Sequence, residues 1–342
     1  MPVSQPLIAS TDRGLYCAAA DVYIDAWKPV DRNIITHAHS DHARLGSNRY
    51  LCAVDGVNVL RERLRNVSID AIEYGQPLDI NGVKISLHPA GHVLGSAQIR
   101  VEHRGEVWVV TGDYKRDDDA TCRPFEVVPC NTLITECTFG LPIYHWRKPS
   151  EIAAEINAWW RDNQQLERTS ILLGYSLGKS QRLLSLLDPS IRSILVHGAI
   201  VGMIEAYRAS GVQLPAVEHA SVENAKKHKG KALVVAPPSA AGTTWVRKFA
   251  PFSLANASGW MQARGFRRRG GVDRGFVLSD HVDWDALLRT ITETGAKRII
   301  ATHGSTGPLV RWLNEHGFEA SELDTPFGDD ESAGDDQEPT SL

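Results

Sequence analysis

The run His37-Ala38-His39-Ser40-Asp41-His42 constrains this chain more than any other stretch, because it brings four potential metal ligands into six residues. It follows Asn33-Ile34-Ile35-Thr36, a short apolar segment that predicts a strand ending at a site. Ala38 and Ser40 are small spacers that leave room for the ligands to converge. Three imidazoles and a carboxylate cannot share a buried place unless a cation stands among them. Imidazole and carboxylate together suit Zn2+ and also Mn2+ or Fe2+, and two ions could share such a cluster. Taken by itself the run could be a solvated turn, so the rest of the chain must supply further ligands.

It does so by repeating one pattern, an apolar strand followed by a polar residue. His92 lies in Ala90-Gly91-His92-Val93-Leu94-Gly95, where the glycines permit a tight path close to a bound group. Asp113 follows Val107-Trp108-Val109-Val110-Thr111, and Glu136, His281 and His303 follow three later strand-like runs. A lone strand-end histidine is more often a hydrogen-bonded residue than a ligand; the recurrence is what argues for a site. One metal could take His37, His39 and His92, a second Asp41, His42 and His303. Asp113 can bridge two cations held roughly 3.5–4 Å apart. Such a pair supplies hydroxide at neutral pH and offsets charge on a phosphorane-like transition state. His281 is then left to protonate a leaving oxygen, with Glu136 holding its other ring nitrogen.

The 342 residues suffice for one large domain or two ordinary ones. Hydrophobic content of 42% and charged content of 23% are those of a globular protein. Cys17, Cys52, Cys122, Cys130 and Cys137 form no Cys-x-x-Cys pair, and their odd number fits a reducing cytoplasm. Met1-Pro2-Val3-Ser4-Gln5 lacks the basic head and apolar core of a secretory signal, and no apolar run approaches membrane-spanning length. The net charge of −4 hides an asymmetry: Asp329, Asp330, Glu331, Asp335, Asp336 and Glu338 stand without Lys or Arg after Phe327. The rest of the chain is therefore slightly basic, and 327–342 is expected to be an acidic disordered tail.

Short strands are expected at Asn33–Thr36, Val83–Leu87, Val107–Thr111 and Thr132–Thr135, with helices at Val57–Leu64 and from Pro149-Ser150 onward. The middle alternates strands (Ser170–Leu173, Ser193–Val196, Lys231–Ala236) with helices (Lys179–Leu187, Met203–Ala209), the grammar of a small α/β unit. Strand-then-site grammar returns at Phe276–Ser279 before His281 and at Arg298–Thr302 before His303, each followed by a helix closed by glycine.

His37-Ala38-His39-Ser40-Asp41-His42 resembles the His-x-His-x-Asp-His signature of the metallo-β-lactamase fold. His92 and Asp113 match its next two metal motifs. Glu136 in Thr135-Glu136-Cys137, His281 in Ser279-Asp280-His281 and His303 in Thr302-His303-Gly304 resemble the three additional motifs of its β-CASP nuclease branch. The resemblance covers nearly the whole chain with the motifs in order. It implies a four-layer αββα sandwich, with an inserted α/β β-CASP cap. The implied division is 1–168 and 267–326 for the catalytic domain, 169–266 for the cap and 327–342 for the tail. It also implies two divalent ions, Zn2+ and/or Mn2+, on His37, His39, Asp41, His42, His92, Asp113 and His303. Asp41, Asp113, Glu136 and His281 are the implied catalytic groups. Within the branch the chain is most similar to bacterial ligase-associated DNA exonucleases, whose implied partners are DNA, an ATP-dependent DNA ligase and a helicase. The reaction expected is phosphodiester hydrolysis in DNA repair, from the 5′ end. An RNA nuclease of the ribonuclease J or 3′-end-processing kind is the alternative, and a metal-bearing nucleic-acid scaffold without turnover is the other.

Gly174-Tyr175-Ser176-Leu177-Gly178-Lys179-Ser180-Gln181 has one residue too few for a Walker P-loop, and resembles a segment of β-CASP caps. Ser176, Lys179 and Gln181 are candidate phosphate contacts, with simple helix initiation an equal alternative. Two basic runs, Lys226–Lys231 and Arg264–Arg274, the latter containing Arg267, Arg268 and Arg269, are candidate nucleic-acid surfaces.

Overall fold

The computed structural model describes residues 6–263 and 271–323. Arg267, Arg268, Arg269 and the acidic tail expected at 327–342 lie outside the described residues. Those described fall into two units, one of 6–116, 122–145 and 281–323, the other of 117–121, 146–263 and 271–280.

In the first unit, β1 (Ala9–Thr11), β2 (Gly14–Cys17), β3 (Val22–Ile24), β4 (Arg32–Ile34), β5 (Arg49–Ala53) and β6 (Ile69–Ile72) lie side by side in that order. The first three are antiparallel and the rest parallel, with helix α1 (Val57–Leu64) between β5 and β6. A second sheet starts as a meander of β7 (Leu78–Ile80), β8 (Val83–Pro89), β9 (Ala97–His103) and β10 (Glu106–Val110), and β11 (Thr132–Cys137) joins β10 in parallel. Alternation explains the packing. In β9, Ile99 and Val101 turn inward while Arg100 and Glu102 pair outside at 2.7 Å. Leu15, Val22, Ile24 and Ile34 of the first sheet share one core with Val83, Ile85, Trp108 and Val110 of the second. Each such buried side chain contributes roughly 1.5–3 kcal/mol.

The second unit is a wholly parallel sheet of β12 (Thr169–Leu173), β13 (Ile194–Val196), β14 (Glu218–His219), β15 (Leu233–Ala236), β16 (Phe252–Ala257) and β17 (Arg274–Phe276), in the order β14-β13-β15-β12-β16-β17. Parallel sheets need both faces covered. On one face Ile152, Ile156 and Trp160 of α2 (Pro149–Gln165), Leu183 and Leu184 of α3 (Lys179–Leu186), and Ile200 and Ile204 of α4 (Gly198–Ala209) pack on Leu172, Leu233 and Val235. On the other, Ala225 of α5 (Val222–Lys227), Val246 and Phe249 cover Ile171, Leu195 and Val234. The first expected domain ends at 168, yet α2 belongs to this second core, because its stripe of isoleucines and tryptophans matches the sheet face of β12 and β15.

The chain then completes the first unit with α6 (Trp284–Thr294), β18 (Arg298–Gly304), α7 (Thr306–Glu315) and β19 (Glu319–Glu322). The second sheet reads β19-β18-β11-β10-β9-β8-β7. Trp284, Leu287, Ile291, Leu309 and Leu313 form a helical layer over its outer residues Val109, Leu133, Ile299 and Ala301. Asp283 caps α6 by accepting from the Ala286 amide at 2.9 Å, and Gly295 closes it at φ +68°. The strand expected at Phe276–Ser279 ends at Phe276 instead. The architecture is an α/β sandwich of two mixed sheets with an inserted α/β region, as the resemblance implies. No helix among the described residues is long and apolar enough to cross a membrane.

Candidate metal centre

The site is assembled where strands of the first unit end. The segment after β4 carries His37 to His42, the β8–β9 turn carries His92, and Asp113 follows β10. His37 Nε2 lies 3.0 Å from His39 Nδ1, and His39 Nδ1 lies 3.1 Å from His92 Nε2. Oδ2 of Asp113 stands 3.3 Å from His37 Nε2 and 3.7 Å from His92 Nε2. These four residues form one group whose ligand atoms all lie within 4.8 Å of one another. Donors arranged tetrahedrally around Zn2+ at about 2.0–2.1 Å stand roughly 3.3–3.4 Å apart, close to the spacing observed.

A second group holds His37, Asp41 and His42. His42 Nε2 is 3.3 Å from Asp41 Oδ2 and 3.5 Å from the same Asp113 oxygen, so Asp113 Oδ2 adjoins both groups. Among the described residues the buried His42 Nε2 faces these two carboxylates without a hydrogen bond, a convergence of donors that a cation would satisfy. The donor set therefore fits one or two divalent ions.

Among the described residues His303 joins none of the three groups of convergent ligand atoms, but its ring stacks on His42 with centroids 5.2 Å apart. A cavity of about 30 Å³ is lined by Asp25, Asp41, His42 and His303 among others, room for about one water or an ion. The backbone explains its placement. Glu136 of β11 pairs with Thr302, but Cys137 pairs with Gly304, so His303 is the extra residue of a β-bulge at φ +53°. Bulges re-aim side chains beside sites, and a left-handed histidine is strained. Gly304 must be glycine, because a Cβ would stand 2.5 Å from the Cys137 carbonyl oxygen.

His281 Nδ1 faces Glu136 Oε2 at 2.9 Å, while Glu136 Oε1 accepts from the Tyr114 amide at 2.7 Å. Asp113, Glu136 and His281 form the third group of convergent ligand atoms. Asp25 was not singled out in the sequence. Its Oδ2 lies 2.7 Å from His42 Nδ1 and accepts from Thr36 Oγ1, and its Oδ1 accepts from the Thr36 amide at 2.8 Å. It stands at the end of β3, so the strand-end signal was present, but without neighbouring ligands to mark it.

Electrostatics follow from burial and charge. Burial pushes His37 down to about 4 and holds His92 and His303 below the ordinary histidine range, which keeps these rings neutral, the form in which an imidazole can bind a metal. His42 goes the other way: burial opposes its charge, yet Asp41, Asp113 and Asp25 together raise it well above the usual value. Asp113 and Asp41 stay ionised despite burial, chiefly through His42.

The expected phosphate contacts fare differently. Lys179 Nζ is buried 2.9 Å from Asp280 and donates to the Leu278 carbonyl at 2.8 Å. Gln181 accepts from the Gly178 amide at 2.7 Å and donates to the Ser176 carbonyl at 3.0 Å. These side chains cap a helix and hold the second unit together, because a lysine and a glutamine this buried need partners within the fold. Ser176 is half-buried. In the Lys226–Lys231 run, Lys227 and His228 pair with Glu218 at 3.1 and 3.0 Å.

Fold and site together define a metallo-β-lactamase/β-CASP-like protein with a buried His/Asp cluster able to coordinate divalent ions, an arrangement consistent with a metal-dependent hydrolase. No family model matches the chain. It is similar to a probable DNA ligase of Opitutus terrae, 30% identical over 311 residues that make up 90% of this chain and 30% of that protein. It is also similar to the endoribonuclease YSH1 of Saccharomyces cerevisiae, 33% identical over 129 residues, 35% of this chain and 15% of that one. The chain thus spans under a third of the length of these relatives. Among solved structures, a protein of unknown function from Enterococcus faecalis shares the fold with a TM-score of 0.60 at 10% identity, covering 86% of this chain and 79% of that one.

Proposed function

We propose that the chain is a metal-dependent phosphodiesterase acting on nucleic acid. The observation that carries this is Asp113, whose carboxylate adjoins both histidine groups and the His281–Glu136 pair. Divalent ions held by His37, His39, His92 and Asp113, and by Asp41, His42 and His303, would lower the pKa of water and offset charge on phosphoryl oxygens. The remaining steps belong to the chain. Glu136 accepts from Nδ1 of His281 and fixes the orientation of the ring. His281, when protonated at Nε2, can give that proton to the departing oxygen, so that the P–O bond breaks and the alcohol leaves, while a water adds its hydroxide to phosphorus and releases its own proton to solvent. Asp25 orients His42 through Nδ1.

RNA cleavage is the substrate reading that the named nuclease relatives support, since those are endoribonucleases. DNA is the second reading, supported by similarity along 90% of the chain to a probable DNA ligase. On that reading the reaction is 5′-to-3′ exonucleolytic, Zn2+ or Mn2+ activates it, and a ligase and a helicase are the partners to test. Matched RNA and DNA strands, labelled separately at each end and offered to metal-depleted protein resupplied with Zn2+ or Mn2+, separate the readings. Internal RNA fragments support the first. Mononucleotides from the 5′ end of DNA support the second, and intact strands under every metal sink both.

A further inference from the structure

Helix α1 is tied at both ends to loops that carry candidate metal ligands. At its start, Gly56 and Gly95 touch backbone to backbone: a Cβ on Gly95, which sits at φ +80°, would stand 2.1 Å from the Gly56 Cα. Gly95 closes the turn that carries His92. At its end, Arg63 Nε donates 3.1 Å to the carbonyl of Ala38, the residue between His37 and His39. Side chains on α1 are therefore held in fixed register with the His/Asp cluster, all within the first unit.

Three of the residues so placed are arginines, with the exposed Glu62 among them. Val59, Leu60 and Leu64 face inward. Arg61 is exposed, Arg63 is half-buried, and Arg65, which ends the helix at φ +54°, is exposed. Among the described residues none of these three arginines has a carboxylate partner within 4.0 Å. Among the described residues other exposed arginines of this unit, Arg13, Arg49, Arg104 and Arg289, also stand without a carboxylate partner, while Arg123 pairs with Asp55 at 2.9 Å just before the same helix; what sets the α1 group apart is its tie to the ligand-bearing loops.

We propose that Arg61, Arg63 and Arg65 form a track for the phosphodiester backbone of a polynucleotide strand entering the metal centre. The Ala38 carbonyl uses one edge of the Arg63 guanidinium and steers the group, while arginine forks match non-bridging phosphate oxygens without reading bases. The track rests on the phosphodiesterase reading for its purpose, but its binding can be measured separately.

The test compares wild type with the triple variant Arg61→Ala/Arg63→Gln/Arg65→Ala, in which glutamine keeps a donor for the Ala38 carbonyl. Two substrates are used: a 20-nucleotide single strand, and bis-p-nitrophenyl phosphate, which carries one phosphodiester and no further backbone phosphates for a track to hold. The track predicts a KM for the strand raised about 10-fold with kcat little changed, and an unaltered kcat/KM for the small diester. Fluorescence anisotropy should show the slope of log K against log salt falling by about 2, near 0.7 for each phosphate of a single strand that is no longer neutralised. Equal losses on both substrates would overturn the proposal, because the arginines would then serve the metal loops. Unchanged strand affinity and slope would overturn it as well. If wild type cleaves neither substrate yet binds the strand through these arginines, the track stands and the phosphodiesterase reading falls.

Discussion

Asp25 Oδ2 lies 2.7 Å from Nδ1 of His42, and the same carboxylate takes both the amide and the hydroxyl of Thr36. A ring held this way presents Nε2 in one direction before any ion arrives. Asp25→Asn keeps the shape but weakens the orienting charge, and should lower affinity for the second metal about 10–100-fold. Competition with a chelator measures it; unchanged affinity would mean that Asp25 serves only the turn.

His281 and Glu136 make a prediction about leaving groups. His281→Ala should lower kcat on an oligonucleotide roughly 10²–10⁴-fold, and Glu136→Gln should do the same to a smaller extent. Both losses should shrink on a p-nitrophenyl diester, whose phenolate departs without a proton. A loss of equal size on both substrates would show the pair acting on something other than the leaving oxygen.

How much of this was visible in the sequence differs residue by residue. His37 to His42, His92 and Asp113 were legible because ligand-rich strand ends have few other uses. Asp25 was not, since a single aspartate after a three-residue strand looks like any turn. The bulge that turns out His303 depends on pairing between β11 and β18, two strands far apart in sequence, and no local signal carries it. Lys179 stood as a candidate phosphate contact with helix initiation as an equal alternative, and its burial against Asp280 is a tertiary contact that local sequence does not carry. The arginines at α1 were passed over in favour of denser basic runs, and the tie of Arg63 to Ala38, which relates them to the ligand segment, is a tertiary contact that no local signal carries.

The buried charges of the second unit should matter to stability. Arg182 meets Asp280 at 2.9 Å and Asp119 at 3.3 Å, with all three side chains nearly inaccessible. Arg182→Met leaves two carboxylates short of their partner and should cost roughly 3–5 kcal/mol. Urea denaturation of the full chain measures the loss, and a change under 1 kcal/mol would contradict it.

Acid should destabilise the metal-free protein. Burial holds His37 at about 4 and lowers His92 and His303, whereas in the unfolded chain each titrates near 6.5. The unfolded state therefore binds more protons between about pH 6.5 and 4, and stability is lost as pH falls through that window. His42 has the opposite sign: its contribution is complete below about 6.5 and lost as pH rises through its raised folded value. Three depressed rings outweigh one in acid, with His37 alone contributing on the order of 3 kcal/mol. Tm of metal-free protein should fall steadily from pH 6.5 to 4; a flat profile would contradict this.

The most direct measurement is metal content and phosphodiester hydrolysis on the same samples of the full chain, wild type and Asp113→Asn. Wild type should bind two equivalents of divalent metal, lose hydrolysis when a chelator removes them and regain it when they return. Asp113→Asn should hold fewer than two and hydrolyse at least 100-fold more slowly, a barrier of about 2.7 kcal/mol. Hydrolysis that survives complete metal removal, or a variant as active as wild type, would contradict a metal-dependent centre built around Asp113.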